Sequence, residues 1–144
     1  GDGSVMMNLQ ELQTIKHNNL PVKVVVFSND GYGAIRQTFK NFFDGLYSGC
    51  DAKSGVSFPN FQKVADAFGF DYFHCRNCEE VEPSVKWLLN NKKNCLLEIE
   101  QKLDDPIAPK VISKMNAKGE FETPAIHDMY PFISEEDMKT LIIK

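Results

Sequence analysis

This 144-residue chain has no surplus of basic charge: its formal net charge is -4 and its pI about 5.4. That balance argues against a nucleic-acid surface and against an anionic membrane as partner. No apolar run approaches the roughly 20 residues that a membrane-spanning helix requires. Neither a Gly-x-x-x-x-Gly-Lys-[Ser/Thr] string nor a Gly-x-Gly-x-x-Gly string occurs, which disfavours the common phosphate loops of nucleotide-binding domains. Cysteine is sparse, with Cys50, Cys75, Cys78 and Cys95 spread over the chain. Four in this length do not make a disulfide scaffold, so a reducing, cytoplasmic setting is expected. A basic n-region and an apolar h-region, the marks of a secretory signal, are both missing. There is no internal repeat and no low-complexity tract.

What is present is an alternation of helical and strand-like segments over about residues 1–100. Met6, Leu9, Leu12 and Ile15 recur at helical spacing, which predicts a helix over Val5–Asn18 with Ser4 as N-cap. Residues 21–27 are β-branched and almost continuously apolar, the pattern of a buried parallel strand. A turn follows at residues 29–33, then a helix over 34–42, and a Gly/Ser/Asp-containing loop over 45–57. A helix over 58–68 has Pro59 in its first turn and Gly69 at its end. A short strand over 70–75, a helix over 79–91 with an acidic start, and a strand over 95–99 complete the core. The expected class is α/β with a mainly parallel sheet and flanking helices. Residues 101–144 change character, with Pro106, Pro109, Pro124 and Pro131. They read as an extended tail ending in a short helix that Ser134 begins, capped by a Ser134-x-x-Asp137 box.

Two short turns carry the chemistry. Gly1-Asp2-Gly3-Ser4 opens the chain, and Ser28-Asn29-Asp30-Gly31-Tyr32 follows the first strand. Each alone is a common turn. Together, around one helix and one strand, they form a two-part clamp for a metal-bound diphosphate. A hard cation such as Mg²⁺ takes near-octahedral oxygen ligands. Asp2 offers a carboxylate, Asn29 an amide oxygen and Gly31 a main-chain carbonyl. Gly3 and Ser4 lie at a helix start, where free N–H groups favour phosphate oxygens. Ligands of open α/β sheets gather at the C-terminal ends of the strands, where both turns are expected.

The surrounding strings add to this. Gly1-Asp2-Gly3-Ser4, Met7 through Ile15, Leu20-Pro21-Val22-Lys23, Gly33-Ala34-Ile35-Arg36-Gln37 and Phe58-Pro59-Asn60-Phe61 together resemble the acetolactate synthase branch of thiamine diphosphate enzymes. The resemblance covers about residues 1–100 strongly and the tail loosely. It implies the C-terminal, thiamine diphosphate-binding domain, with thiamine diphosphate and Mg²⁺ as cofactors. Asp2, Asn29 and Gly31 match the family's metal ligands. Gly1, Gly3 and Ser4 match its diphosphate-contacting turn, and Tyr32, Gly33 and Ala34 the segment that runs past the cofactor. Ser28 departs from the pattern, which often has a second Asn there.

The resemblance further implies a lyase or carboligase acting on a 2-oxo acid such as pyruvate. Pyruvate decarboxylase-like relatives carry a catalytic Glu where this chain has Ile35, so simple decarboxylation of that type is disfavoured. Ile35 and Gln37 match pocket-lining positions, and no catalytic residue is expected within this chain. Arg36 reads either as a partner for a substrate carboxylate or as a solvated or interface charge. Thr38 stands where acetolactate synthases have Trp. That leaves other 2-oxo acid decarboxylases and glyoxylate carboligase-like enzymes open, as well as a non-catalytic cofactor-binding or assembly domain.

Because Gly1 falls inside the motif, residues 1–144 are expected to be part of a larger enzyme. An upstream strand and a pyrimidine-binding domain with its activating Glu would lie elsewhere, on the same or a neighbouring subunit. Flavin, if used, would sit in a further domain, and the intact enzyme is expected to be a homodimer or homotetramer. Of the remaining polar residues, Cys75-Arg76-Asn77-Cys78 is a single CxxC without a second pair, which reads either as a zinc or redox pair or, more plainly, as two small apolar residues at a strand end and in the loop after it. His17 sits near a helix end, His74 has no evident partner, and His127 lies in a tail that can fold over the active site in this family.

Overall fold

The computed structural model describes residues 1–106, 108–116 and 118–141. They divide into two compact units, residues 1–105 and 106–144.

The first unit begins with three short pieces in place of the single helix expected over Val5–Asn18: α1 (Asp2–Val5), a 3₁₀ turn (Met6–Asn8) and α2 (Glu11–His17). Helix starts at Asp2, with Gly1 as N-cap, so Ser4 lies inside α1 and caps nothing. The Asp2 carboxylate takes the Gly3 N–H itself (2.8 Å), satisfying a donor in the first turn of α1. The 3₁₀ tightening also changes which residues face the core: Val5 packs there with Leu9, Leu12 and Ile15, while Met6 stays exposed.

Then follow β1 (Lys23–Ser28), α3 (Gly33–Phe42), a 3₁₀ turn (Ala52–Ser54), α4 (Phe61–Phe68), β2 (Asp71–Cys75), a 3₁₀ turn (Cys78–Glu80), α5 (Val81–Asn90) and β3 (Cys95–Glu100). α4 begins two residues after Pro59, because Asn60 accepts the Lys63 N–H (2.9 Å) and fixes the cap there. Gly69 closes α4 in the left-handed region at φ +69°, as its position in the sequence implies.

The sheet is wholly parallel, in the order β1-β3-β2. Lys23 lies opposite Cys95 on one side, and Asp71 opposite Cys95 on the other. The last strand is therefore the central one, and its apolar run Cys95-Leu96-Leu97 is fully buried. One face carries Val26 and Leu96 against Leu12 of α2 and Phe61 and Ala65 of α4. The other carries Leu97, Cys95 and Cys75 against Leu88 and Trp87 of α5.

β1 departs from the expectation of a strand buried on both sides. Val26 and Ser28 are buried, whereas Val25 and Phe27 are exposed. The reason is coverage: the second cluster, with α5, gathers on β2 and β3, so nothing from it shields the Val25/Phe27 face.

Residues 106–144 form their own unit. The antiparallel pair β4 (Lys114–Met115) and β5 (Phe121–Glu122) was not foreseen from the sequence. The last helix, α6 (Glu135–Leu141), is capped as expected: the Asp137 N–H reaches Ser134 Oγ at 3.1 Å, and that hydroxyl donates to the Asp137 carboxylate at 2.6 Å.

Leu96 sits at the middle of the sheet with no exposure. Leu96→Ala is expected to cost about 2–5 kcal/mol, because the surrounding strands cannot collapse onto the gap. Urea unfolding of the two proteins measures this, and a loss below about 1 kcal/mol would mean that β3 is not the packed centre.

Candidate functional site

β1 ends at Ser28, and the chain turns sharply through Asn29, Asp30 and Gly31. Asp30 takes φ +55°, a left-handed conformation that Asp tolerates better than most residues. At the same sheet end, Gly1 lies against the Phe27 carbonyl, 3.7 Å from where a Cβ would stand. The two turns read from the sequence thus meet. Asp2 joins them: one carboxylate oxygen accepts the Gly3 N–H at 2.8 Å, the other accepts the Asn29 N–H at 3.0 Å.

This junction is chemically incomplete. Asp2 is 2% exposed, and no cationic side chain pairs with it among the described residues. A carboxylate in that position carries a desolvation cost of roughly several kcal/mol that two N–H donors offset only in part. Beside it, Asn29 Oδ1 is buried without a hydrogen-bond partner. A buried acceptor left unmade costs about 1–3 kcal/mol. A hard divalent cation answers both deficits, since it takes a carboxylate and a neutral oxygen together. The donor set therefore fits Mg²⁺.

The walls are built for close approach. A Cβ at Gly31 would lie 2.6 Å from the Cys50 carbonyl oxygen and 2.5 Å from a Leu103 methyl carbon. Gly31 bridges Asp51 in antiparallel fashion, and the Tyr32 N–H donates to the Cys50 carbonyl at 2.8 Å. At Gly3 the missing Cβ would fall 2.2 Å from the Tyr32 ring, which itself packs edge-on to Phe58 at 5.8 Å. Gly33 leaves room for the Asn29 amide nitrogen, 3.1 Å from a Cβ there. Ser4 and Ala34 are exposed on α1 and α3.

α3 carries the other residues singled out from sequence. Ile35 is exposed, Gln37 is partly buried, and neither lines the cleft described below. Arg36 is largely buried and is paired with two carboxylates of its own chain. Its Nη1 meets Asp51 at 2.5 Å, its Nε meets Asp104 at 2.6 Å, and its guanidinium lies 3.8 Å from the centre of the Tyr47 ring. Hydrogen bonding to Asp104 raises the Arg36 pKa above its usual value and lowers that of Asp104. Asp51 is lowered chiefly by Ser54, with Arg36 adding to it.

A cleft of about 770 Å³ opens at the C-terminal end of the sheet, from Asn29 and Asp30 across to His74, Glu98 and Glu100. The sheet face beneath it changes from apolar to polar along the strands: Val26 gives way to Ser28, Leu96 to Glu98 and Glu100, Tyr72 to His74. His74, without an evident partner in the sequence, lies 3.5 Å from a Glu100 oxygen. The Tyr72 hydroxyl donates to Glu98, and burial together with that bond pushes the phenol pKa up. The signal for this group was the period-two alternation of Tyr72/His74 and Glu98/Glu100, which carries meaning only once the strand pairing is known. Cys75 is buried and Cys78 exposed, and all four cysteines are free. His127 is exposed in the second unit.

Comparison with known proteins gives a consistent picture. A family model, "Thiamine pyrophosphate enzyme, C-terminal TPP binding domain", matches residues 1–99. The chain is similar to the acetolactate synthase large subunit of Porphyra purpurea, 36% identical over 119 residues, which is 82% of this chain and 20% of that protein. It is 37% identical over 99 residues to the acetolactate synthase isozyme 2 large subunit of Escherichia coli (strain K12), covering 69% of this chain and 18% of that protein. Against acetolactate synthase 3, chloroplastic, of Brassica napus it is 33% identical over 103 residues. The chain thus spans about a fifth of the length of such relatives. Among the described residues, no helix is long and apolar enough to cross a membrane.

Asn29→Ala removes an acceptor that the metal-free protein leaves unsatisfied. Its stability without metal is expected to stay within about 1 kcal/mol of the parent, while any stabilisation by Mg²⁺ with a diphosphate ligand is lost. Thermal unfolding with and without Mg²⁺ and ligand checks this. A large loss in the metal-free state would make Asn29 a structural residue.

Proposed function

Because this chain belongs to the thiamine pyrophosphate enzymes, as their C-terminal TPP-binding domain, we propose that it holds the Mg²⁺-diphosphate end of thiamine diphosphate in an acetolactate synthase-like enzyme acting on a 2-oxo acid such as pyruvate. The observation that carries the site assignment is the unpartnered Asn29 Oδ1 beside the buried, cation-less Asp2. In this reading Asp2, Asn29 and the Gly31 carbonyl ligate Mg²⁺. Gly1, Gly3 and Ser4 receive the diphosphate, while Tyr32, Gly33 and Ala34 run along the cofactor. Ile35 and Gln37, next along α3, border the substrate.

When bound, thiamine diphosphate supplies the carbanion chemistry by which a 2-oxo acid loses CO₂ and its remainder is passed to a proton or a second carbonyl. The residues of this chain bind and orient. Asp2 would offset part of the metal's charge, and it fixes the Asn29 turn through that residue's N–H. The Leu103 and Cys50 walls restrict water on the Gly31 side. In this reading the family's activating Glu comes from a pyrimidine-binding domain on the same or a neighbouring subunit. The intact enzyme would then be an oligomer. Four free cysteines suit a reducing compartment, and we place the protein in the cytoplasm.

Calorimetric titration of the chain tests this. Thiamine diphosphate is expected to bind only with Mg²⁺ present, EDTA to abolish binding, and excess ATP not to compete. Incubation with pyruvate is expected to yield no CO₂ from the 144-residue chain alone. Mg²⁺-dependent ATP binding, without thiamine diphosphate binding, would replace the reading by a nucleotide-binding one.

A further inference from the structure

We infer that Arg36 is a positioning residue for the Asn29–Gly31 turn, acting through the two chain segments that enclose Gly31. This rests on the assignment of that turn as a metal-binding element.

The argument begins with what touches Gly31. Its nearest neighbours on the side of a missing Cβ are Cys50 and Leu103, from two segments far apart in sequence. Each is followed directly by an aspartate, Asp51 and Asp104. Arg36 grips both aspartates, one with Nη1 at 2.5 Å and the other with Nε at 2.6 Å. A guanidinium presents donors in a rigid fork, so it fixes the relative placement of the two carboxylates and not just their distance from itself. Its plane is held in turn by the Tyr47 ring.

Asp51 transmits that placement. Its Oδ2 meets Arg36, while its Oδ1 accepts from the Ser54 N–H at 2.9 Å and the Ser54 hydroxyl at 2.7 Å. Ser54 Oγ in return accepts the Cys50 and Asp51 N–H groups, both at 3.0 Å. Residues 50–54 are therefore a closed knot tied to α3. The knot holds the metal turn directly, through the Gly31–Asp51 bridge and the Tyr32 N–H bond to Cys50. The Arg36 N–H also continues the helix from the Tyr32 carbonyl at 2.9 Å, so the fork stands one turn from the ligands without touching them.

The test uses Arg36→Met and Arg36→Lys in the 144-residue chain, with two readouts. The first is amide hydrogen exchange at Tyr32, read without cofactor. The second is affinity for Mg²⁺ with thiamine diphosphate. Arg36→Met is expected to speed Tyr32 exchange and to weaken cofactor affinity, each about tenfold, with Leu97 in β3 unchanged. Arg36→Lys, which keeps the charge but cannot span both aspartates, is expected to fall between. Parent-like exchange at Tyr32 in Arg36→Met overturns the proposal. If Arg36→Met loosens Leu97 as well, Arg36→Lys decides: faster exchange at Tyr32 alone supports the proposal, and parent-like exchange there sinks it. A parent chain that binds no thiamine diphosphate would defeat the cofactor reading alone, since the exchange arm judges Arg36 without it.

Discussion

The Asp2 carboxylate is the constraint on which the site depends. It is buried, it accepts one N–H from its own turn and one from the turn after β1, and among the described residues no side-chain cation balances it. A group in that position organises its surroundings, because every nearby donor is drawn toward it and every alternative arrangement leaves a charge in low dielectric. The sheet brings Asp2 there, and the walls around Gly31 hold the opposing turn in place. The deficit left over is the binding energy available to a cation.

The fold was largely legible. The β-branched run at 22–26, the helix face of Phe61, Val64, Ala65 and Phe68, and the apolar Cys95-Leu96-Leu97 each specify an element by periodicity and propensity, and alternation of helix and strand then specifies a parallel sheet. What misled was local. The Val5–Asn18 periodicity is real, but Asp2 nucleates the helix earlier and the chain tightens at Met6–Asn8, a competition between caps that periodicity does not register. The uncovered Val25/Phe27 face is a tertiary fact, since an apolar run reports that a strand can be buried and not which helix covers it.

The site divides the same way. Asp2, Asn29, Gly31 and Gly3 belong to contiguous turns with known chemistry, so their residue types announce them. Arg36, Asp51 and Asp104 are separated by 15 and 68 positions from their partner, and no local pattern ties them together. His74 and Glu100 come together only through the register of β2 on β3. Short-range turns are written in the sequence, whereas long-range ion pairs are products of topology. The two kinds meet at Gly31, whose missing side chain is explained by neighbours from both.

The strand order has a consequence for how the chain is made. β1 and β2 never pair with each other; both wait for β3, which comes last of the three in sequence. At synthesis rates of about 5–20 residues per second, the stretch between β1 and β3 takes on the order of several seconds to emerge. During that interval β1 lacks the β3 partner it has in the sheet, and its Val25 and Phe27 side chains are exposed in the described structure. A nascent strand with an apolar face and an unpaired edge is a target for wrong pairing. β1 and β2 can therefore be joined in this sheet only after residue 95 has emerged.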